Sequence, residues 1–260
     1  MDVLFLWDFC DKIIQCFFPF VRILAFFSSA PLFYEKCVNK KIKIVLAFII
    51  TFLISPTLFK TDIDVFSFAG VLVIGCQFLI GISMGLTVQL IFVTIRHAGE
   101  IIGLQMGLSF ATFYDPAGGQ NLPVIARILN VLATLLFLAC NGHLFMIEII
   151  ANSFQILPIM ERLPAITGYM IIIKLAGGVF KCGLMVGMPV VALLLCLNIS
   201  LGVLNRLIPQ LSVFVIGFPV SLTTGLIVLS LIMYSLSSFF EKIISSMLDN
   251  MINIIRVFAI

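Results

Sequence analysis

The chain has 260 residues, 62% of them hydrophobic and 10% charged, with a formal net charge of +3 at pH 7. Soluble domains average about 45–50% apolar and about 25% charged residues, so a soluble globule of this composition would expose apolar surface to water. The small, scattered positive charge also excludes a nucleic-acid-binding stripe. We therefore expect a polytopic, all-α integral membrane protein that forms one domain over residues 1–260.

The first candidate span is Ile13–Phe33, an apolar run interrupted only by Arg22. A helix needs about 20 apolar residues to cross a hydrocarbon core of about 30 Å. The second candidate, Ile44–Phe59, follows a charged cluster that we interpret as a cytoplasmic anchor, because Lys and Arg beside a span are held on the inner side. This cluster consists of Glu35, Lys36, Lys40, Lys41 and Lys43.

Further apolar segments follow in chain order. They are Val65–Ile95, which is longer than one span requires, Ile128–Ile147, Leu163–Phe180, Cys182–Asn205 and Leu207–Phe240. Ile128–Ile147 is expected to be interrupted near Asn141 and Gly142. Leu207–Phe240 contains Pro209 and Pro219, and it is expected to be a broken helix or a tight hairpin. In all we expect about six long apolar helices, some of them broken or hairpin-like.

After Phe240 the pattern becomes amphipathic. Apolar residues recur at helical spacing, namely Ile243, Ile244, Met247, Leu248, Met251, Ile252 and Ile255. Such a helix lies on a membrane surface or a partner helix, or it packs on its own protein, and the pattern favours neither.

No residue pattern points to catalysis or to a bound cofactor. The two histidines, His97 and His143, lack further ligands at metal-binding spacing, and the seven cysteines contain no C-x-x-C pair. Motifs of hydrolases, metalloproteases and nucleotide-binding loops do not occur. We therefore predict neither an enzyme nor a metal or cofactor site.

The segment from Arg96 to Ile128 is polar and rich in glycine compared with its surroundings. Gly99, Gly103 and Gly107 repeat every four residues, which on a helix gives a smooth face for close approach of another backbone. Ordinary helix packing is the favoured explanation of such a face. Glu100 and Gln105 lie off it and would need partners in an apolar setting.

A loop is predicted after this helix, because Asp-Pro and Gly-Gly are strong helix breakers. Its residues are Tyr114, Asp115, Pro116, Ala117, Gly118, Gly119, Gln120 and Asn121. Phe110 and Phe113 are expected on the last turn before the loop, and Pro123 near the start of the next helix. The loop is either a solvent-exposed turn, which residue chemistry favours, or a re-entrant element lining a pore.

At these residues the chain resembles the FliR family of flagellar export-gate proteins, which are related to subunits of type III secretion injectisomes. The most specific matches are GEIIGLQMGLSFATFYDP at Gly99–Pro116, ARILN at Ala126–Asn130, NGHL at Asn141–Leu144 and LGVLNRLIPQLSVFVIGFPV at Leu201–Val220. The resemblance covers essentially the whole chain.

The resemblance implies a non-enzymatic subunit of a pore complex in the bacterial inner membrane, at the flagellar basal body. Its implied partners are FliP-like, FliQ-like and FlhB-like membrane subunits, membrane lipid and the unfolded flagellar proteins that are exported. It also implies that Tyr114–Asn121 is a plug loop in the closed pore, and that Phe110 and Phe113 join a hydrophobic constriction.

One further prediction concerns a charged residue in apolar surroundings. Arg206 lies between two uncharged runs, so it should pair with a partner or reach an interface.

The alternative function is a small-solute transporter, which would need repeated interrupted helices and a polar site at the membrane midplane.

Overall fold

The computed structural model of the chain describes residues 2–31, 39–57, 63, 65, 67–108, 123–159, 164–208 and 213–259. The regular secondary structure of these residues is helical, which confirms the predicted all-α class. The helices are α1 (Asp2–Ser29), α2 (Lys40–Ile54), α3 (Phe68–Gln105), α4 (Val124–Ala139), α5 (Gly142–Ile156), α6 (Ile166–Leu207) and α7 (Val213–Phe258). A short 3-10 helix, Ser55–Thr57, follows α2.

Within the described residues, two helices are individually long and apolar enough to cross a membrane. These are α3, with 38 residues, and α6, with 42 residues. Two further crossings are possible only if a bent pair forms one span, either α4 with α5 or the two parts of α7 on either side of Tyr234. The bend in α7 agrees with the prediction of a broken helix in this region.

The expectation that Ile44–Phe59 spans the membrane is wrong for the helix that the structure contains. Helix α2 has 15 residues, and Ser55–Thr57 continue only as a 3-10 turn. Pro56 lacks the N–H that an α-helix needs and restricts the residue before it, so the α-helix ends at Ile54. At about 1.5 Å per residue, α2 is about 22 Å long, which is shorter than a hydrocarbon core.

The expected separation of Leu163–Phe180 from Cys182–Asn205 is also wrong. Helix α6 runs without interruption past Lys174, the adjacent Gly177 and Gly178, and Pro189. In an apolar medium an interrupted helix leaves backbone groups without water to bind, and this cost outweighs the weak helix preference of glycine.

The expected interruption near Asn141 is confirmed. Asn141 adopts a left-handed backbone conformation with φ 57°, and it separates α4 from α5. Asparagine tolerates this conformation better than most residues with a side chain. The Asn141 carbonyl then accepts the backbone N–H groups of Leu144 and Phe145, which starts α5.

The C-terminal part of α7 packs on its own protein, which decides between the two interpretations of the amphipathic pattern. Met247, Met251 and Ile255 are buried, whereas Asp249 and Asn253 are exposed. The helix end is held by a contact between the rings of Phe258 and Tyr169, whose centroids lie 4.9 Å apart.

The residues form two compact units, each assembled from separate stretches of the chain. Unit 1 comprises Met1–Leu90, Asn141–Leu175 and Ser246–Ile260, and unit 2 comprises Ile91–Cys140 and Ala176–Ser245. Helices α3, α6 and α7 each contribute residues to both units.

In unit 1, α1 and α3 approach closely over two glycines. A Cβ at Gly81 would collide with the backbone of α1 at Arg22 and Phe26, and one at Gly85 would collide with Ser29. Gly81 and Gly85 thus form a second glycine pair at four-residue spacing, which sequence analysis did not single out.

Arg22 lies fully buried in the middle of unit 1. Its Nε donates to Gln77 Oε1 of α3 at 2.6 Å, and its Nη1 donates to Ser153 Oγ of α5 at 3.1 Å. Its Nη2 donates to the Leu157 carbonyl at 2.9 Å, and its guanidinium carbon lies 4.2 Å from the centroid of the Phe154 ring. One cation therefore joins α1, α3 and α5.

The partners of Arg22 explain how a guanidinium is accommodated there. Leu157 is the C-terminal cap of α5, and Ser153 lies in the last turn of that helix. The C-terminal end of a helix carries a partial negative charge, which favours a nearby cation. The electron-rich face of Phe154 adds a cation–π attraction.

We predict that Arg22→Leu destabilises the protein by about 3–5 kcal/mol, because it removes three charge-assisted hydrogen bonds and leaves their acceptors buried. Adding Gln77→Leu and Ser153→Ala should recover part of the loss, since an apolar replacement of the polar set leaves fewer unsatisfied groups. The measurement is the free energy of unfolding by denaturant titration of the chain purified with its partner subunits in mild detergent. Arg127→Leu, at an exposed arginine of α4, serves as the control; equal stability of Arg22→Leu and the parent would contradict this account.

Candidate functional site

The candidate site is the part of unit 2 from which segment 109–122 leaves and to which it returns. Helix α3 supplies its first side, the start of α4 its second, and α7 its third. The predicted plug loop Tyr114–Asn121 and the two ring positions, Phe110 and Phe113, lie outside the described residues. The structure therefore describes the frame of the predicted loop, not the loop itself.

Helix α3 ends in a Schellman motif that Gly107 makes possible. The N–H of Gly107 donates to the Leu104 carbonyl, and the N–H of Leu108 donates to the Gly103 carbonyl, both at 3.0 Å. Gly107 has φ +80°, a conformation that costs a residue with a side chain about 1–2 kcal/mol.

This cap corrects two predictions. Gly107 serves as the helix cap rather than as a third member of the helical glycine face. The helix that carries these glycines also ends at Gln105, earlier than expected. The left-handed glycine at Gly107 is the physical reason that the α-helix stops there. The expected last turn at Phe110 and Phe113 lies outside the described residues.

The other two glycines confirm the predicted close approach. A Cβ at Gly99 would lie 2.5 Å from the Cα of Ala126, and one at Gly103 would lie 2.6 Å from the Cβ of Pro123. Pro123 caps the start of α4, as its position in the sequence predicted. Because Gly99 and Gly103 have no side chains, the first turn of α4 lies directly against the backbone of α3.

Gly103 therefore contacts both described residues that flank segment 109–122, Leu108 before it and Pro123 after it. Its carbonyl binds the N–H of Leu108 on one side, and its bare Cα faces the ring of Pro123 on the other. Leu108 and Pro123, the described residues on either side of segment 109–122, therefore lie next to each other at Gly103.

Helix α7 holds the capped end of α3 from a third direction. The Ser221 hydroxyl lies 3.4 Å from the Met106 carbonyl, while also lying 3.0 Å from the Phe218 carbonyl of its own helix. A Cβ at Gly225 would meet the Met106 side chain at 2.8 Å. The Phe218 ring lies beside Gly107 and remains partly exposed. No pattern in the sequence indicated that these α7 residues contact α3, although the spacing of Ser221 and Gly225 places them on one helix face.

The predicted need of Glu100 for partners is met within its own helix. Its carboxylate lies 3.9 Å from Arg96 Nε and 3.6 Å from His97 Nδ1. These separations exceed hydrogen-bonding distance, and the groups are partly exposed, so the pairs contribute little stability. The His97 ring also makes an edge-to-face contact with Phe180 of α6, with centroids 5.1 Å apart.

The remaining predicted polar residues differ in their surroundings. Gln105 is half-buried in the last turn of α3. Arg206 is exposed in the last turn of α6, where its charge is favourable next to the helix C-terminus, and no salt bridge to a described acid is formed. In the described part of the chain, no three His, Cys, Asp or Glu side chains are arranged to hold a metal ion.

The glycine contacts yield a prediction with a control on the same helix. Gly99→Ala and Gly103→Ala should each destabilise the protein by about 1–3 kcal/mol, because the added methyl group forces α4 away. Gly75→Ala should be neutral or stabilising by up to about 1 kcal/mol, since nothing lies within 4 Å of its added Cβ. The unfolding free energy in detergent measures all three; destabilisation by Gly75→Ala equal to that by Gly103→Ala would contradict this packing.

Comparison with known proteins gives consistent matches over almost the whole length. Residues 13–247 match the family described as "Bacterial export proteins, family 1". The chain is 48% identical over 250 residues to the "Flagellar biosynthetic protein FliR" of Pectobacterium carotovorum subsp. carotovorum, covering 96% of this chain and 95% of that protein. The protein of the same description from Escherichia coli (strain K12) is 46% identical over 239 residues, covering 92% of each chain. The one from Bacillus subtilis (strain 168) is 28% identical over 244 residues, covering 93% and 94%.

Proposed function

Since the chain belongs to the bacterial export proteins of family 1, we propose that it is a subunit of the flagellar protein export gate. The observation that carries this proposal is the similarity to flagellar biosynthetic proteins over more than nine-tenths of the chain. Its role is mechanical: together with partner subunits it forms a pore for unfolded flagellar proteins and closes that pore at rest. No described residue arrangement favours the alternative, a small-solute transporter.

The proposed closing element is the plug loop Tyr114–Asn121, with Phe110 and Phe113 forming the hydrophobic constriction. Support comes from the frame around segment 109–122. The flanking residues Leu108 and Pro123 both contact Gly103, and the Schellman cap fixes the backbone at the end of α3. A loop with fixed, adjacent ends can change its own conformation without unwinding the helices that carry it. Apolar rings close a pore by excluding water and by sealing around a passing chain.

The proposed partners are FliP-like and FliQ-like subunits, and an FlhB-like subunit, in a hetero-oligomer. Helix α6 supports an obligate assembly. It is about 63 Å long at about 1.5 Å per residue, roughly twice the thickness of a hydrocarbon core. In its most apolar stretch only 22% of the residues are buried, against 61% in α3. Large exposed apolar side chains extend from Ile166 to Leu207, so a single bilayer cannot cover them all.

Two local features of α6 fit contact with neighbouring subunits. Gly177, Gly178 and Gly202 each have open space where a Cβ would stand, which leaves room for a partner helix to approach. Arg206 is exposed at the end of the same helix, where a partner carboxylate or carbonyl groups can reach it. The proposed location is the bacterial inner membrane at the flagellar basal body, and the whole chain acts there as one domain.

The closing role predicts two variants with the same effect. Deleting Ala117–Gln120 should leave the flanking helices intact, because their ends are held by Gly103, Gly107 and Pro123, yet it should increase ion conductance. Replacing Phe110 and Phe113 by Ala should also increase conductance by widening and wetting the constriction. The measurement is the conductance of the purified complex in a planar bilayer, with assembly assessed in parallel.

Exposed Leu135 of α4 provides a matched control, since Leu135→Ala removes apolar volume away from the loop and should leave conductance unchanged. If both loop variants assemble normally and conduct no more than the parent, the gate lies elsewhere in the complex.

A further inference from the structure

Helix α2 has two sides of different composition. Its buried residues are Ala47, Ile50 and Thr51, and α1 is the helix that packs against it. The outward side carries only large apolar residues beyond the first turn, each between 48% and 70% exposed. They are Ile44, Val45, Phe48, Ile49, Phe52 and Leu53.

The large size of the outward side chains indicates that lipid, and not protein, contacts this side of α2. Membrane helices meet each other through small residues, which allow close approach, whereas bulky apolar side chains suit acyl chains. In α2 the small residues Ala47 and Thr51 lie on the side that is already buried. Helix α6 differs, since it exposes glycines with open space around them.

The apolar part of α2 matches the depth of one leaflet. Ile44–Ile54 has 11 residues, or about 16 Å at about 1.5 Å per residue, which is about half of a hydrocarbon core. At the far end the Ser55 hydroxyl accepts a hydrogen bond from the thiol of Cys16 at 3.1 Å. Its N–H donates to the Thr51 carbonyl. The hydroxyl oxygen and the N–H of Ser55 thus have partners inside the protein, which favours a position in hydrocarbon.

The near end of α2 carries a concentrated positive charge. Lys40 and Lys41 are exposed, Lys43 is half-exposed, and none of them forms an ion pair with an acid among the described residues. Lysines at the cytoplasmic surface of a membrane attract anionic lipid headgroups. Along α2 the lysines come first and the apolar face follows. This is the same order as the phosphates and the hydrocarbon of one leaflet, counted from the membrane surface.

We propose that α2 is a one-leaflet anchor: its outward face lies in the hydrocarbon of the cytoplasmic leaflet, and Lys40, Lys41 and Lys43 bind the phosphates of anionic lipids. The anchor is independent of pore closure. It accounts for a helix that is too apolar for water and too short to cross the bilayer.

The occupant of the outward face is identified by photo-crosslinking in cells. A benzophenone side chain replaces Ile49 or Phe52 in the full-length chain, and Ile199 on α6 is the comparison position. We expect phospholipid adducts at Ile49 and Phe52, detected by intact mass, without a protein adduct on gels. A protein adduct at both α2 positions would overturn the proposal.

The lysines are tested with the purified full-length chain and its copurifying subunits in neutral detergent, titrated with phosphatidylglycerol or phosphatidylcholine while Tm is recorded. Phosphatidylglycerol should raise Tm at lower concentration than phosphatidylcholine. Changing Lys40, Lys41 and Lys43 together to Gln should weaken the apparent affinity of the protein for phosphatidylglycerol on the order of 100-fold. Changing the same three residues to Arg should preserve this affinity.

The matched control changes three exposed lysines elsewhere, Lys174, Lys181 and Lys242, to Gln. This control should leave the response to phosphatidylglycerol unchanged. An equal loss in the control, or a parent that responds equally to both lipids, would overturn the assignment of the lysines.

Discussion

A polar group without access to water is costly unless it finds a partner inside the protein, and this cost shapes the packing around Arg22 and at the end of α3. In unit 1, the buried Arg22 takes its acceptors from α3 and from the C-terminal turn of α5. In unit 2, backbone carbonyls at the end of α3 accept hydrogen bonds within the Schellman cap, and the Met106 carbonyl accepts one from Ser221. In both units glycines on α3 bring the helices close enough for these contacts. Packing and polar pairing therefore depend on each other.

The same constraint connects the fold with the proposed function. Helices α3 and α6 exceed the thickness of a bilayer, yet their apolar stretches are buried to very different extents within the chain. An isolated chain would expose much of α6 beyond the reach of lipid. The proposed assembly with other subunits would cover this exposed surface.

Much of the fold was predictable because hydrophobic runs and helix breakers act locally. Asn141 separates α4 from α5 as expected, and α4 packs against Gly99 and Gly103 as the spacing of these glycines indicated. Burial was not predictable, because it depends on residues distant in sequence. Of two arginines in apolar surroundings, Arg206 was expected to be costly, yet Arg22 is the buried one, since its acceptors come from Gln77, Ser153 and Leu157. Of the candidate site, the structure shows the contacts of Gly99 and Gly103 with α4. The plug loop and the constriction at Phe110 and Phe113 lie outside the described residues and stay predictions.

The central claim is that this chain is an obligate part of a membrane export gate. The most direct measurement is to purify the tagged chain from its own cells in mild detergent, determine the mass of the particle, and identify the copurifying proteins. The account predicts a hetero-oligomer that contains further small membrane subunits of the export apparatus, with little free chain. A monodisperse, folded particle that consists of this chain alone would contradict it.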